Sequence, residues 1–121
     1  MVRNISIASV ETDIGKTAIA LALGSLAQNR GMRVGYMKPL GTRLRTRFGK
    51  PTDEDVIFAK NYLDLDADVE DLSPVVYSQT FIEQVVKGRR DLRQLRKRIE
   101  NSYEKLSKNN DLMIIEGGGK L

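Results

Sequence analysis

The stretch IASVETDIGKTAIALALG, residues 7–24, decides the fold. It begins inside an apolar run with β-branched side chains, residues 2–9, which predicts a buried strand. Gly15, Lys16 and Thr17 then open a segment of strong helix formers that is predicted to end with Gly31 at the C′ position. A glycine-lysine-threonine group between a strand and a helix is typical of a phosphate-binding loop, because backbone N–H groups and the helix dipole attract anions there.

The entrance of this loop departs from the strict pattern G-x-x-x-x-G-K-[ST]. That pattern requires a glycine five residues before Gly15, and the residue there is Val10. A glycine-lysine-threonine tripeptide by itself is a weak signal, since it also occurs by chance. The predicted place between a strand and a helix is what favours a nucleotide site.

The rest of the chain predicts an α/β fold in which helices cover a parallel sheet of about three strands. Three strands make a thin sheet, so we expect a partial domain or one that a partner completes. The predicted elements begin with a strand at 32–39, a mobile loop at 41–52 and a helix at 53–63 that Thr52 or Asp53 caps. An irregular segment at 64–78 and a helix at 79–88, broken at Gly88, follow. The last elements are a helix with the apolar face Leu92, Leu95, Ile99, Tyr103 and Leu106, and a strand at 111–119.

Composition excludes several kinds of chemistry. The chain of 121 residues fits a single domain, residues 1–121, and contains no cysteine, histidine or tryptophan. Disulfides, zinc sites built on histidine or cysteine, and a histidine base are therefore excluded. The sequence has no secretory signal and no apolar run long enough to span a bilayer, so we expect a cytoplasmic protein that does not enter a membrane.

The net charge of +4 is concentrated in two runs, RLRTRFGK at 43–50 and KGRRDLRQLRKR at 87–98. Basic runs can bind nucleic acid. The two runs contain a single aromatic residue, Phe48, and so lack a series of rings for base stacking. Solvated helix or loop faces are therefore the favoured interpretation, and nucleic acid is not expected as a partner.

Two further polar residues follow predicted strands. Lys38 ends the second strand and Glu116 ends the last one. The ligand crevice of an open α/β sheet lies outside the carboxyl ends of its strands, so both side chains should approach the Gly15–Thr17 loop. An acid in this position can hold magnesium directly or through water. The alternatives are an ordinary surface acid and, for Gly117, Gly118 and Gly119, a simple turn.

Four motifs in order, ETDIGKT, GYMKPLGT, DEDV and IIEGGG, make the chain resemble the dethiobiotin synthetase-like P-loop family. Relatives of that family include the N-terminal domain of some phosphotransacetylases and the nucleotide domain of cobyrinic acid a,c-diamide synthases. The resemblance covers nearly the whole chain and implies a P-loop NTPase-like parallel sheet. The family loop is longer, so its first glycine corresponds to Ser9 and not to Val10.

The resemblance implies a role for each matching residue. Asp13, Ile14, Gly15, Lys16, Thr17 and Ala18 would wrap the phosphates of ATP, with Lys16 on the terminal ones, and Glu116 with Gly117, Gly118 and Gly119 would line the nucleotide. Thr17, Glu116 and Asp55 would hold magnesium, with Asp53 as the alternative to Asp55. Lys38 would stabilise the charge that develops in phosphoryl transfer. Thr42 would contact the substrate, although Arg43 follows it where the synthetases have glycine.

The implied reaction is ATP-dependent activation of a carboxylate or carbamate, as in a cyclo-ligase or an amide-forming synthase. The acceptor and the choice between ATP and GTP stay open. The alternative is a nucleotide-sensing regulatory module, as in the phosphotransacetylase-type proteins. Residues 41–56 resemble the long basic loop of those proteins. The family's sites lie near a two-fold interface, and the thin sheet leaves apolar faces to cover, so we expect a homodimer. The alternative is a further C-terminal domain, because the family's adenine-recognition segments lie beyond the equivalent of Leu121.

Overall fold

A computed structural model describes residues 2–9 and 14–118. Strands β1 (Arg3–Ser9), β7 (Leu112–Gly118) and β2 (Val34–Met37) form a parallel sheet in the spatial order β1-β7-β2 within this part of the chain. The α/β class and the parallel sheet flanked by helices are confirmed. The last strand lies between the other two, so its carboxyl end is bordered by both the start of the phosphate loop and the end of β2.

Helix α1 (Ile14–Asn29) follows β1 and packs on the sheet. It ends as predicted at Gly31, which has a φ of 82°. The Gly31 N–H donates to the Gln28 carbonyl at 2.9 Å and the Met32 N–H donates to the Ala27 carbonyl at 3.1 Å, which is the Schellman pair of bonds. The core that α1 helps to bury centres on Met113 and Ile114 of β7, both fully buried.

The prediction of a loop at 41–52 is wrong. This segment contains the two-residue strand β3 (Leu40–Gly41) and an antiparallel hairpin of β4 (Leu44–Arg47) and β5 (Lys50–Asp53). Phe48 and Gly49 close the hairpin with φ angles of 52° and 75°, the positive pair that a two-residue type I′ turn requires. The turn was not predicted because phenylalanine rarely adopts this conformation and stands where asparagine is usual. The strand β4 was not predicted because its four residues are all exposed, so its sequence does not alternate between apolar and polar residues.

The irregular segment predicted at 64–78 is also partly wrong. It contains the short helix α3 (Val69–Leu72) and the strand β6 (Val75–Val76), which pairs with β3 in a parallel bridge. Elements of four and two residues are too short for a hydrophobic period to show.

The remaining helices agree with the sequence. They are α2 (Glu54–Tyr62), α4 (Gln79–Val86) and α5 (Leu92–Ser107), and Gly88 follows α4 with a φ of 68°. Asp53, and not Thr52, caps α2 by accepting the Asp55 N–H at 2.7 Å. On α5, Leu95 and Leu106 are buried and Ile99 and Tyr103 pack on the core, whereas Leu92 is 77% exposed.

The outer side of α1 and the edge strand β1 keep apolar side chains in contact with solvent. Ile19 and Leu26 of α1 are 59% and 51% exposed, and Ile5 of β1 is 36% exposed. Apolar surface at a sheet edge is what a partner chain or further strands would cover. The expected homodimer or additional domain stays a prediction.

Candidate functional site

Glu116, at the carboxyl end of β7, is fully buried and accepts two hydroxyl hydrogen bonds. The Thr17 hydroxyl donates to its Oε1 atom at 2.6 Å, and the Tyr36 hydroxyl donates to its Oε2 atom. We call Thr17, Tyr36 and Glu116 the glutamate cluster. It joins the first turn of α1, the middle of β2 and the end of β7.

Parallel pairing explains why these residues meet. Glu116 lies opposite Ile7 of β1, and Gly118 lies opposite Ser9, the last residue of that strand. On the other side of β7, Ile115 lies opposite Met37, so the end of β2 reaches the same edge. Helix α1 begins beyond this edge, which places Thr17 over the end of β7.

The charge of the glutamate cluster is unusual. Among the described side chains, Glu116 forms no ion pair, and its partners are neutral hydroxyl groups. A buried carboxylate is costly unless a positive charge lies close to it. Burial, followed by the charge of Glu116, raises the pKa of Tyr36 well above its ordinary value, so Tyr36 stays a proton donor.

A second cluster surrounds Lys38, whose Nζ atom lies 3.0 Å from Asp53 Oδ2 and 2.9 Å from Asp55 Oδ2. We call Lys38, Asp53 and Asp55 the lysine cluster. Burial is the largest single influence on the pKa of Lys38 and acts to lower it, but the two carboxylates together outweigh it and the pKa is raised. Lys38 is therefore a cation held in place.

The two aspartates of the lysine cluster differ in their bonds. Asp53 is fully buried and accepts the N–H groups of Thr42, Arg43 and Asp55 at 2.9, 2.9 and 2.7 Å. The Asp55 side chain is 14% exposed, and besides Lys38 it meets Arg43 Nη1 at 3.5 Å. The oxygen atoms of Asp53 are occupied by backbone N–H groups and by Lys38, so Asp55 is the carboxylate with more room for a ligand.

The structure brings some of the predicted site residues together. Thr17 contacts Glu116, Lys38 contacts Asp55, and Thr42 reaches the lysine cluster through its backbone N–H. No hydrogen bond or ion pair among the described side chains joins Asp55 to the glutamate cluster.

The phosphate-loop residues are described in part. Ile14, Gly15, Lys16, Thr17 and Ala18 form the first turn of α1. Asp13 and Gly119 lie outside the described residues, and so does the side chain of Lys16. The roles assigned to all of these residues stay predictions.

The glycines after Glu116 extend the strand. Gly117 and Gly118 belong to β7, so within the described residues they do not form the turn that was the alternative. A Cβ atom built on Gly117 would meet no atom of the described residues within 4 Å.

Sequence reasoning missed Tyr36, and it considered Asp53 only as a metal ligand or a helix cap. Tyr36 carried a signal, because it stands two residues before Lys38 on the same side of a short apolar strand. Its hydroxyl orients Glu116, and Asp53 orients Lys38.

Oxygen atoms suited to a hard cation are present, although residues 2–9 and 14–118 contain no group of three acidic side chains able to hold a metal by themselves. Magnesium in nucleotide sites uses one or two carboxylates together with phosphate oxygens and water, so a three-acid cluster is not needed.

A protein-family model described as an AAA domain matches residues 3–121. The chain belongs to the dethiobiotin synthetase-like P-loop NTPase family. The ATP-dependent dethiobiotin synthetase BioD of Methanocaldococcus jannaschii is 31% identical over 119 residues, which cover 95% of this chain and 52% of that protein. The proteins of the same name from Brachyspira hyodysenteriae and Caldicellulosiruptor bescii are 29% and 26% identical, over 98% and 95% of this chain and 52% and 47% of theirs.

The chain thus spans about half the length of the curated relatives it matches. This agrees with the expectation of a partial family domain. In residues 2–9 and 14–118, no helix is both long enough and apolar enough to cross a membrane.

Proposed function

We propose that this family member is a magnesium-dependent ATP-binding domain of an ATP-dependent ligase. The 2.6 Å hydrogen bond from Thr17 to Glu116 carries the proposal. It links two residues 99 positions apart in the sequence, at the N-terminus of α1 and the carboxyl end of the central strand. The relatives' description as ATP-dependent synthetases supports the choice of ATP over GTP.

The first turn of α1 supplies the phosphate contacts in this proposal. The N-terminus of a helix attracts anions, because its backbone N–H groups and the helix dipole both favour a negative charge there. Lys16 belongs to the same turn and would be the cation for the terminal phosphates. Asp13 and Gly119 would complete the pocket on either side.

Thr17 is prepared to bind a metal ion. Because its hydroxyl donates the proton to Glu116, the lone pairs of its oxygen face away from the carboxylate and can ligate a cation. Glu116 and Asp55 would act from either side, directly or through water, and the buried carboxylate of Glu116 favours the same cation. When bound, magnesium would neutralise phosphate charge.

The reaction class follows from Lys38 and its surroundings. Lys38 is a buried cation at the end of β2, anchored by Asp53 and shared with the more exposed Asp55. A cation that stays charged at this place can stabilise the charge that develops on a transferred phosphoryl group. We infer that the acceptor is a carboxylate or carbamate oxygen of a small substrate near Thr42, activated for ring closure or amide formation.

The regulatory alternative is favoured by one observation. Arg43, which stands beside Thr42, forms ion pairs with Glu54 at 2.9 Å and Asp55 at 3.5 Å, so an arginine occupies the region where the acceptor would lie. A domain of this kind would bind nucleotide and pass its state to a second copy or to a further domain.

Thermal unfolding with and without Mg-ATP tests nucleotide binding. A ligand at a hundred times its Kd stabilises the folded state by about 2.7 kcal/mol, so the melting temperature should rise, and EDTA should reduce the rise. Lys16→Ala should abolish it, whereas Lys97→Ala, an exposed lysine on α5, should leave it unchanged. A wild-type chain that shows no shift with ATP or GTP contradicts the proposal.

Turnover separates the two candidates. Release of ADP in the presence of diaminopelargonate and bicarbonate, or of cobyrinate and ammonia, would support the ligase. Binding of Mg-ATP without ADP release, by the chain in its natural full-length context, would support the regulatory module instead.

A further inference from the structure

Four arginines of the basic run at 87–98 differ in their surroundings in the folded chain. Arg93 and Arg96 lie on the exposed side of α5 and pair with Asp91 and Glu100 at 3.9 and 3.0 Å. Arg90, which is half-buried, and Arg98, which is exposed, line a cavity of about 270 Å³, and among the described residues neither forms an ion pair. The run is therefore not a uniform solvated face.

This cavity lies away from the glutamate and lysine clusters. Its walls come from the start of β5, from β6, from α4 and from α5, and they include Ser73, Ser78 and Phe81. Two other charged residues of the wall, Lys50 and Glu70, pair with each other. Once that pair is set aside, the cavity carries the charges of Arg90 and Arg98 without a counterion.

Arg90 is held in a defined position. Its guanidinium lies 5.5 Å from the centre of the Phe81 ring, a cation–π contact, and its Nε atom is buried without a hydrogen-bond partner. A buried N–H group without a partner costs free energy unless a ligand or water accepts it. A planar guanidinium fixed by a ring, with donors still available, matches the paired oxygens of a carboxylate or phosphate.

We propose that the Arg90–Arg98 cavity binds a small oxyanion, the phosphate or carboxylate group of a small molecule. Its volume is below the usual range for drug-sized ligands, about 300–1,000 Å³, so it favours a ligand smaller than a nucleotide. Two arginines and an aromatic ring on three separate chain segments converge on it. This inference does not depend on the proposed nucleotide site.

The cavity wall is bonded to the segment that follows β2. Ser73, which lines the cavity, donates its Oγ hydrogen to the Lys38 carbonyl at 2.8 Å.

An NMR titration of the ¹⁵N-labelled chain tests the proposal. Inorganic phosphate and succinate are added separately at constant ionic strength, and saturable shifts are expected at the amides of Ser78, Phe81, Arg90 and Arg98. Arg90→Gln and Arg98→Gln should each weaken binding by about tenfold, because each removes a charge-assisted contact. Arg93→Gln, an exposed arginine on the same helix, is the matched control and should bind as the wild type does.

The outcomes are distinguishable. A response to phosphate alone, or to succinate alone, supports the cavity and identifies the oxyanion. Shifts that never saturate, or that persist equally in the Arg90 and Arg98 variants, overturn it. Shifts confined to residues 15–18 and lost in Lys16→Ala would belong to the proposed nucleotide site and would also overturn it. Arg90→Lys keeps the charge and serves if Arg90→Gln fails to fold, as the spectrum itself reveals; it should still weaken binding.

Discussion

The glutamate cluster and the lysine cluster lie at the same edge of the sheet but balance charge in opposite ways. Glu116 is a buried anion held by the neutral hydroxyls of Thr17 and Tyr36, whereas Lys38 is a buried cation held by two aspartates. Among the described side chains, the first cluster contains no ion pair, whereas the second pairs its cation with two carboxylates. The difference predicts that substitutions in the lysine cluster affect the free energy of unfolding more than substitutions at Glu116 do.

Asp53→Asn should show the largest effect on stability. Asp53 accepts three backbone N–H groups and the Lys38 ion pair, and an amide in its place would leave a buried cation poorly compensated. Removing one partner of a buried ion pair costs about 3–5 kcal/mol, so urea unfolding should show a loss of that size. Asp91→Asn, at the exposed cap of α5, is the matched control, since asparagine caps as well as aspartate does. Equal effects of the two substitutions would break the comparison.

Tyr36→Phe should have the next largest effect. It removes a hydroxyl donor from a buried carboxylate, a bond of the charge-assisted kind, and should cost about 2 kcal/mol at neutral pH. Tyr103→Phe removes a hydroxyl bond to Asn4 on the surface and should cost less.

The same substitution should change the response to alkaline pH. The pKa of Tyr36 in the folded state is raised above its ordinary value of 10.0, so its contribution to stability is fully present below about pH 10 and is lost as the pH rises further. The wild type should therefore lose more stability between pH 9 and 11 than Tyr36→Phe does. Lys38, whose pKa is also raised, contributes in the same direction to both proteins. Parallel pH profiles for the two proteins would contradict the assignment.

Alanine substitutions at Gly41 and Gly117 compare how tightly the two clusters are packed. A Cβ on Gly41 would lie 2.7 Å from Ser73 Oγ and 2.9 Å from Asp53 Cβ, whereas one on Gly117 would meet none of the described atoms within 4 Å. Gly41→Ala should therefore destabilise the fold by about 1.5 kcal/mol through overpacking, and Gly117→Ala should change it little. Thermal unfolding of both variants measures the difference. Similar losses would mean that the space beside Glu116 is not open.

The sequence predicted the main sheet and the long helices because their signals are long. The apolar strands, the Gly31 helix end and the apolar face of α5 each extend over many residues or use a residue with a specific conformation. The β4–β5 hairpin escaped prediction, because exposed polar residues and Phe48 in a left-handed turn conceal it. Packing decides such elements, and packing is not local in sequence.

Part of the candidate site could also be predicted from the sequence. Parallel strands end at a common edge, so the contact between Thr17 and Glu116 follows from their positions after β1 and near the end of β7, and Lys38 follows β2 toward the same edge. The division into two clusters did not follow, because it depends on side-chain partners. Tyr36 and Asp53 matter because of hydrogen bonds that they make with residues far away in the sequence, and a single sequence does not show such bonds.

Glu116→Gln should have the smallest effect on the ligand-free chain and a decisive one on its ligand response. The substitution weakens two hydrogen bonds but also removes a buried charge that has no described cationic partner, and these terms oppose each other. We expect a change in unfolding free energy within about 1 kcal/mol, against the much larger loss for Asp53→Asn.

If Glu116 helps to bind magnesium, the Glu116→Gln variant should lose the part of the ATP stabilisation that EDTA removes from the wild type. It should keep the part that does not depend on the metal. Calorimetric titration of ATP with and without magnesium measures both parts. A variant as destabilised as Asp53→Asn, with its magnesium dependence intact, would show that Glu116 serves the fold and that the two clusters are alike.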